Sequence, residues 1–88
     1  MVGKNTITIA TLRELVSAGA VSSVRLDAQA EGFAVLIRCG FSEKTLQARR
    51  GHIRLFKSLD RAVALLRDLG VARLEVDVSG WEPHQRYL

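Results

Sequence analysis

The fold is decided by residues 58–78, SLDRAVALLRDLGVARLEVDV, in which the spacing of apolar residues changes from that of a helix to that of a strand. In the first half, apolar residues recur three and four positions apart, at Leu59, Ala62, Val63, Leu66 and Leu69. Ser58 can cap the start of this helix, and Gly70 can end it in a left-handed conformation. Residues 72–78 then alternate, which predicts a strand in the sheet with Leu74, Val76 and Val78 facing inward.

Upstream, apolar residues recur at every second position between residues 21 and 50, which predicts three consecutive strands. The first strand has one apolar side, formed by Val24, Leu26, Ala28 and Ala30. A two-residue turn at Glu31-Gly32 is expected next. The second strand also has one apolar side, formed by Phe33, Val35, Ile37 and Cys39. The third is expected at Lys44–Arg49, and short connections favour an antiparallel meander.

The N-terminal region predicts a short extended segment followed by a helix. Residues 5–10 alternate between polar and apolar side chains. Thr11 is expected to cap the helix, because Glu14 lies three residues later and completes a capping box. Gly19 is placed to end this helix.

These patterns predict an α+β fold in a single small domain: an antiparallel sheet of three to four strands with two helices packed on one face. The expected order is helix-strand-strand-strand-helix-strand. Residues 1–80 would form the domain, and residues 81–88 a C-terminal tail. The other face of the sheet is expected to carry charged residues, namely Arg25, Asp27, Arg38, Lys44 and Arg49.

Positive charge is concentrated in residues 44–61, which contain six basic residues and one acidic residue. The rest of the chain has seven basic and eight acidic residues, so the whole positive excess lies in this stretch. Such a cluster attracts phosphate backbones or acidic protein surfaces. The favoured partner is nucleic acid, held by non-specific phosphate contacts; an acidic protein and a merely solvated surface are the alternatives. The expected nucleic-acid-binding residues are Lys44, Arg49, Arg50, Arg54, Lys57 and Arg61.

Other chemistry has little support in the sequence. Cys39 lies in an apolar strand, and His52 and His84 have no Cys or His at metal-ligand spacing, so no metal site is expected. Gly-rich phosphate loops are absent, and the chain is expected to be no enzyme and to need no cofactor. The longest apolar run, Phe33–Ile37, is too short to span a membrane, and no signal peptide is apparent. A cytoplasmic protein is therefore expected.

The aromatic residues offer a second kind of interaction surface. Phe33 and Phe56 are expected in the core, whereas Trp81 and Tyr87 are expected to be accessible in the tail. So few accessible rings argue against a platform on which bases stack. They are compatible with a protein-protein adaptor or a homodimer built on the sheet edge and the aromatic tail.

Two family resemblances bear on function. Residues 11–19 (TLRELVSAG), 47–51 (QARRG), 54–59 (RLFKSL) and 69–77 (LGVARLEVD) resemble a small ParC-like family of bacterial proteins from plasmids and integrated elements. The resemblance covers residues 6 to about 82 and implies a role near plasmid maintenance, with DNA or a partition protein as partner. It implies no catalytic residues. In element order alone, residues 11–69 are also similar to double-stranded-RNA-binding domains, although the lysine cluster of those domains is missing here.

Overall fold

Six strands and two helices make up residues 5–81, the part of the chain that the computed structural model describes. In chain order they are β1 (Thr6–Ile7), α1 (Ile9–Ser17), β2 (Ser23–Gln29), β3 (Gly32–Cys39), β4 (Ser42–Leu46), β5 (Leu55–Phe56), α2 (Leu59–Leu69) and β6 (Glu75–Asp77). The α+β class and the two helices are as the sequence predicts.

The sheet is mixed and has more strands than predicted. Its order is β1-β4-β3-β2-β6, and β5 pairs with β3 beyond the end of β4. The pairs β2–β3, β3–β4 and β3–β5 are antiparallel, whereas β1–β4 and β2–β6 are parallel. The parallel edges arise because each helix carries the chain over the sheet between two strands of the same direction, β1 to β2 and β5 to β6.

The core lies between the helices and one face of the sheet. Alternate residues of the central strands point to it, because Val24 lies opposite Ile37 and Leu26 opposite Val35. Leu12 of α1 and Leu66 of α2 cover these strands and are completely buried. The other buried apolar residues of the core cluster are Leu46, Phe56, Ala62 and Leu69.

The predicted ends are correct for α2, but the predicted start of α1 is wrong. α2 begins and ends as predicted: the Ser58 hydroxyl accepts a hydrogen bond from the Arg61 N–H (3.3 Å), and Gly70 has φ +106°. For α1 the predicted cap is wrong by one turn. Thr8 is the cap, since its hydroxyl accepts from the Thr11 N–H (3.1 Å), and the helix begins at Ile9. Gly19 takes the expected left-handed conformation just after the helix.

Two strand boundaries and the burial of one strand also differ from expectation. Gln29 pairs with Gly32, so the turn residues are Ala30 and Glu31, and Gly32 already belongs to β3. The third strand of the predicted meander ends at Leu46, because the chain leaves β3 there. In β6, Val76 lies on the helix-facing side with Leu26, as predicted, but it is 39% exposed, so this edge strand is less buried than the half-buried strand that the pattern predicts.

Within residues 5–81, no helix has the length and apolar character needed to cross a membrane. Most of the predicted tail, residues 82–88, lies outside the described residues.

Candidate nucleic-acid interface

The sheet face opposite the helices, here called the open face, is acidic. Strand register places Arg25, Asp27 and Arg38 on it, as predicted. The same register adds three carboxylates, those of Glu43, Glu75 and Asp77. With two arginines and four carboxylates, these strand residues have a net charge of −2. Two residues predicted on this face are elsewhere: Lys44 pairs with Ile37 and so belongs to the helix side, and Arg49 lies outside the strands.

The arginines of the open face are already paired with carboxylates. Arg25 Nη1 lies 3.6 Å from Glu43 Oε2, and Arg38 Nη2 lies 3.8 Å from the same oxygen. Arg25 Nε is 3.9 Å from Asp27 Oδ1. These ion pairs neutralise both guanidinium groups, so the open face repels a phosphate backbone rather than attracting it.

Asp77 stays ionised at the rim of this face. The pKa of its carboxyl is lowered by hydrogen bonds from the Ser79 backbone N–H (2.9 Å) and hydroxyl (2.7 Å), with the charge of Arg25 adding to the effect. The negative charge at the β6 edge is therefore a stable feature at neutral pH.

Between β4 and β5 the chain forms a small hairpin, here called the arm, from Gln47 to Ile53. These two residues bridge at its base, and the Ala48 N–H donates to the His52 carbonyl (2.6 Å). The Gly51 N–H donates back to the Ala48 carbonyl (2.9 Å), and Gly51 has φ +95°. A tight turn followed by a left-handed glycine is a common three-residue hairpin loop. The other two loop residues, Arg49 and Arg50, are both exposed at the tip.

Arg54 lies between the end of the arm and the start of β5. Its backbone N–H donates to the Leu46 carbonyl (3.0 Å), and its guanidinium carbon lies 4.5 Å from the centre of the Phe56 ring. This cation–π contact orients the guanidinium while leaving the residue exposed. Arg49 and Arg54 line one groove, here called the basic groove, of about 680 Å³. Its remaining lining residues are Thr8, Ile9, Ala10, Gln47 and Ala48.

The other predicted residues lie apart from the basic groove. Lys57 and Arg61 are exposed near the start of α2, where backbone N–H groups add partial positive charge. Lys57 lines a second groove together with Trp81. Lys44 is half-buried inside β4 and lines neither groove. The sequence cluster thus becomes an exposed arm tip, the basic groove and the start of α2.

Sequence reasoning missed two features of this surface. The arm begins where the pattern predicts the end of a strand, although Gly51 after two arginines is a turn signal that could have revealed it. The placement of Trp81 and Lys57 in one groove had no local signal, because these residues are far apart in the chain. Among residues 5–81, no group of three His, Cys, Asp or Glu side chains is placed to hold a metal ion.

The comparisons with known proteins give one match. A family model described as ParC-like matches residues 7–85, a span that begins in β1 and includes both helices and every later strand. The resemblance to the ParC-like family that the sequence motifs indicate is therefore confirmed. No curated protein and no solved structure matches the chain.

Proposed function

Since the chain belongs to the ParC-like family, we propose that it is a non-enzymatic accessory protein of a plasmid or another mobile element that binds nucleic acid through the arm and the basic groove. The observation that carries this proposal is the separation of charge. The open face is acidic and its arginines are paired, whereas Arg49, Arg50 and Arg54 are exposed on the arm and at its base.

The chemistry of the arm suits phosphate. Arginine presents a planar fork of donors that can contact two phosphate oxygens at once, and it keeps its charge at every physiological pH. The hairpin presents two such groups at one tip, where the loop is held closed by its own hydrogen bonds. Contacts of this kind position a protein on nucleic acid without reading its sequence.

The test is a titration of labelled duplex DNA, single-stranded DNA and RNA, followed by fluorescence anisotropy over a range of salt concentrations. Each phosphate contact contributes about 0.7–0.9 to the slope of log affinity against log salt. The double variant Arg49→Ala/Arg50→Ala should therefore weaken binding and reduce the magnitude of that slope by about 1.4–1.8.

The matched control removes the same charge from residues that line neither the basic groove nor the groove of Lys57 and Trp81. Arg67 and Arg73 are exposed, and Arg73 lines a groove with the end of α1 rather than its start. Arg67→Ala/Arg73→Ala should leave the salt slope nearly unchanged. Equal losses in the two double variants would mean that only net charge matters, and the assignment to the arm would be wrong.

A protein-protein adaptor or homodimer is the second candidate, and the β6 edge favours it. Val76, Val78 and Trp81 are 39%, 51% and 46% exposed along this edge, and exposed apolar edge strands tend to pair with other chains. Light scattering over a range of concentrations would separate the candidates. A dimer that persists in high salt and is lost in Val78→Lys would support dimerisation through the β6 edge. A monomer at all concentrations would exclude the homodimer.

A further inference from the structure

Trp81 and Lys57 both line one groove, here called the tryptophan groove, of about 380 Å³ near the β2–β3 turn. Trp81 is anchored through its backbone, whose N–H donates to the Val78 carbonyl (3.0 Å). The preceding Gly80 lies so close to β2 that a Cβ there would be 2.6 Å from the Ala28 carbonyl oxygen. The Trp81 backbone is therefore held at a defined position beside β2, and 46% of the residue remains exposed.

We propose that the tryptophan groove takes one unpaired nucleobase, which stacks on the Trp81 indole while the Lys57 ammonium contacts an adjoining phosphate. This inference rests on the proposed function and deepens it, because it names single-stranded nucleic acid as the preferred ligand. Stacking on an exposed ring is open to any unpaired base but not to a base inside a duplex, whose faces are covered by its neighbours.

The groove adjoins the basic surface through two paired phenylalanines. Arg54 lies over the Phe56 ring, and Phe56 pairs with Phe33, which lines the tryptophan groove. Lys57 lies three positions after Arg54, a distance of about 10 Å in extended chain. A single strand held by the arm can therefore reach the indole.

The tryptophan groove differs in charge from the arm and the basic groove, so the two surfaces contribute differently to binding. Glu31 lines it as well, so the charged residues that line the groove sum to zero and Lys57 supplies only a single phosphate contact. The arm and the basic groove supply the attraction, which depends on salt, and Trp81 supplies a contact that salt affects little. Loss of Trp81 should therefore lower affinity without changing the salt slope.

The experiment uses Trp81 as its own reporter, because the chain has a single tryptophan. A short mixed-sequence single-stranded DNA should quench its fluorescence as it binds, whereas the matching duplex and inorganic tripolyphosphate should not. Trp81→Ala should weaken single-strand binding by about 5- to 150-fold, the range for losing one stacked base. Its duplex binding should change little, and circular dichroism would confirm that the variant folds.

Several outcomes would overturn the inference, and they can be told apart from failure of the proposed function. If single strands bind without quenching and Trp81→Ala binds them normally, the stacking site is wrong while nucleic-acid binding stands. If tripolyphosphate quenches as strongly as DNA, the signal reports phosphate rather than a base. If dilution of the free protein shifts the emission, a second copy covers Trp81. If no nucleic acid binds at low salt, both proposals fail.

Discussion

Replacement of Gly32 by alanine tests how much the close contact between β3 and β5 contributes to the stability of the fold. Gly32 has φ +149°, and a Cβ at this position would lie 2.7 Å from the Phe56 carbonyl oxygen. The obstacle is backbone, so no side-chain rotation can relieve the contact. β5 would have to move away from β3, and only two residue pairs hold these strands together.

The expected cost has two parts. The positive φ costs an alanine about 1–2 kcal/mol. Forcing an extra methyl group into a filled space costs typically about 1–3 kcal/mol more. The sum, about 2–5 kcal/mol, is a large part of the stability of a domain of this size, on the order of 4–13 kcal/mol.

Gly40→Ala is the matched control. Gly40 also has a positive φ, +62°, but no atom beyond its chain neighbours lies within 4 Å of the position that a Cβ would occupy there. The Gly40→Ala variant should therefore lose only the conformational part of the free energy of unfolding, about 1–2 kcal/mol. In urea denaturation followed by circular dichroism, with a slope of about 1 kcal/mol per molar urea, the Gly32 variant should unfold about 1–3 M earlier than the control. Equal midpoints for the two variants would refute the reasoning.

Three further predictions concern the rest of the fold. Thr8→Ala should lower the free energy of unfolding by about 1 kcal/mol in urea denaturation, because it removes the cap of α1; Thr11→Ala, at the position that the sequence suggested, should cost less. Leu66→Ala should cost about 2–5 kcal/mol in the same assay, since Leu66 is completely buried in the core, and a loss below about 1 kcal/mol would contradict that placement. The pKa of Asp77, followed by NMR of its carboxyl carbon, should lie below the ordinary value and should rise in Ser79→Ala. Because this pKa is lower in the folded state than in the unfolded state, the ionised carboxylate stabilises the fold above the unfolded pKa. That stabilisation is lost as pH falls through the folded pKa.

Local patterns were sufficient where an element carries its own signal. α2 has apolar residues at helical spacing between a serine cap and a left-handed glycine, and it forms as predicted. β2 and β3 alternate over seven and eight residues, long enough for the period to be read. α1 also forms, although the sequence predicted the wrong capping residue, because both Thr8 and Thr11 are suitable for that position.

The basic surface was predictable as a charge cluster but not as a shape. Residues 44–61 hold the positive excess in any fold, since composition does not depend on conformation. Their separation into an arm, a groove and a helix start depends on where β4 ends, and β4 ends where the chain stops pairing with β3. That pairing is a long-range contact, which no local pattern specifies.

The amino-acid sequence by itself determined the long elements, the burial of their apolar sides and the amount of charge in residues 44–61, because periodicity, caps and composition act over a few neighbouring residues. Only the tertiary structure decided the parallel edges, the acidic open face and the placement of Trp81 and Lys57 in one groove. β1 and β5 have two residues each, too few to show a period, and they become strands through hydrogen bonds to a neighbouring strand. The face of the sheet on which a strand residue lies follows from the strand register, and a shift of one position moves the residue to the other face. Lys44 is an example, because it was predicted on the open face and lies on the helix-facing side.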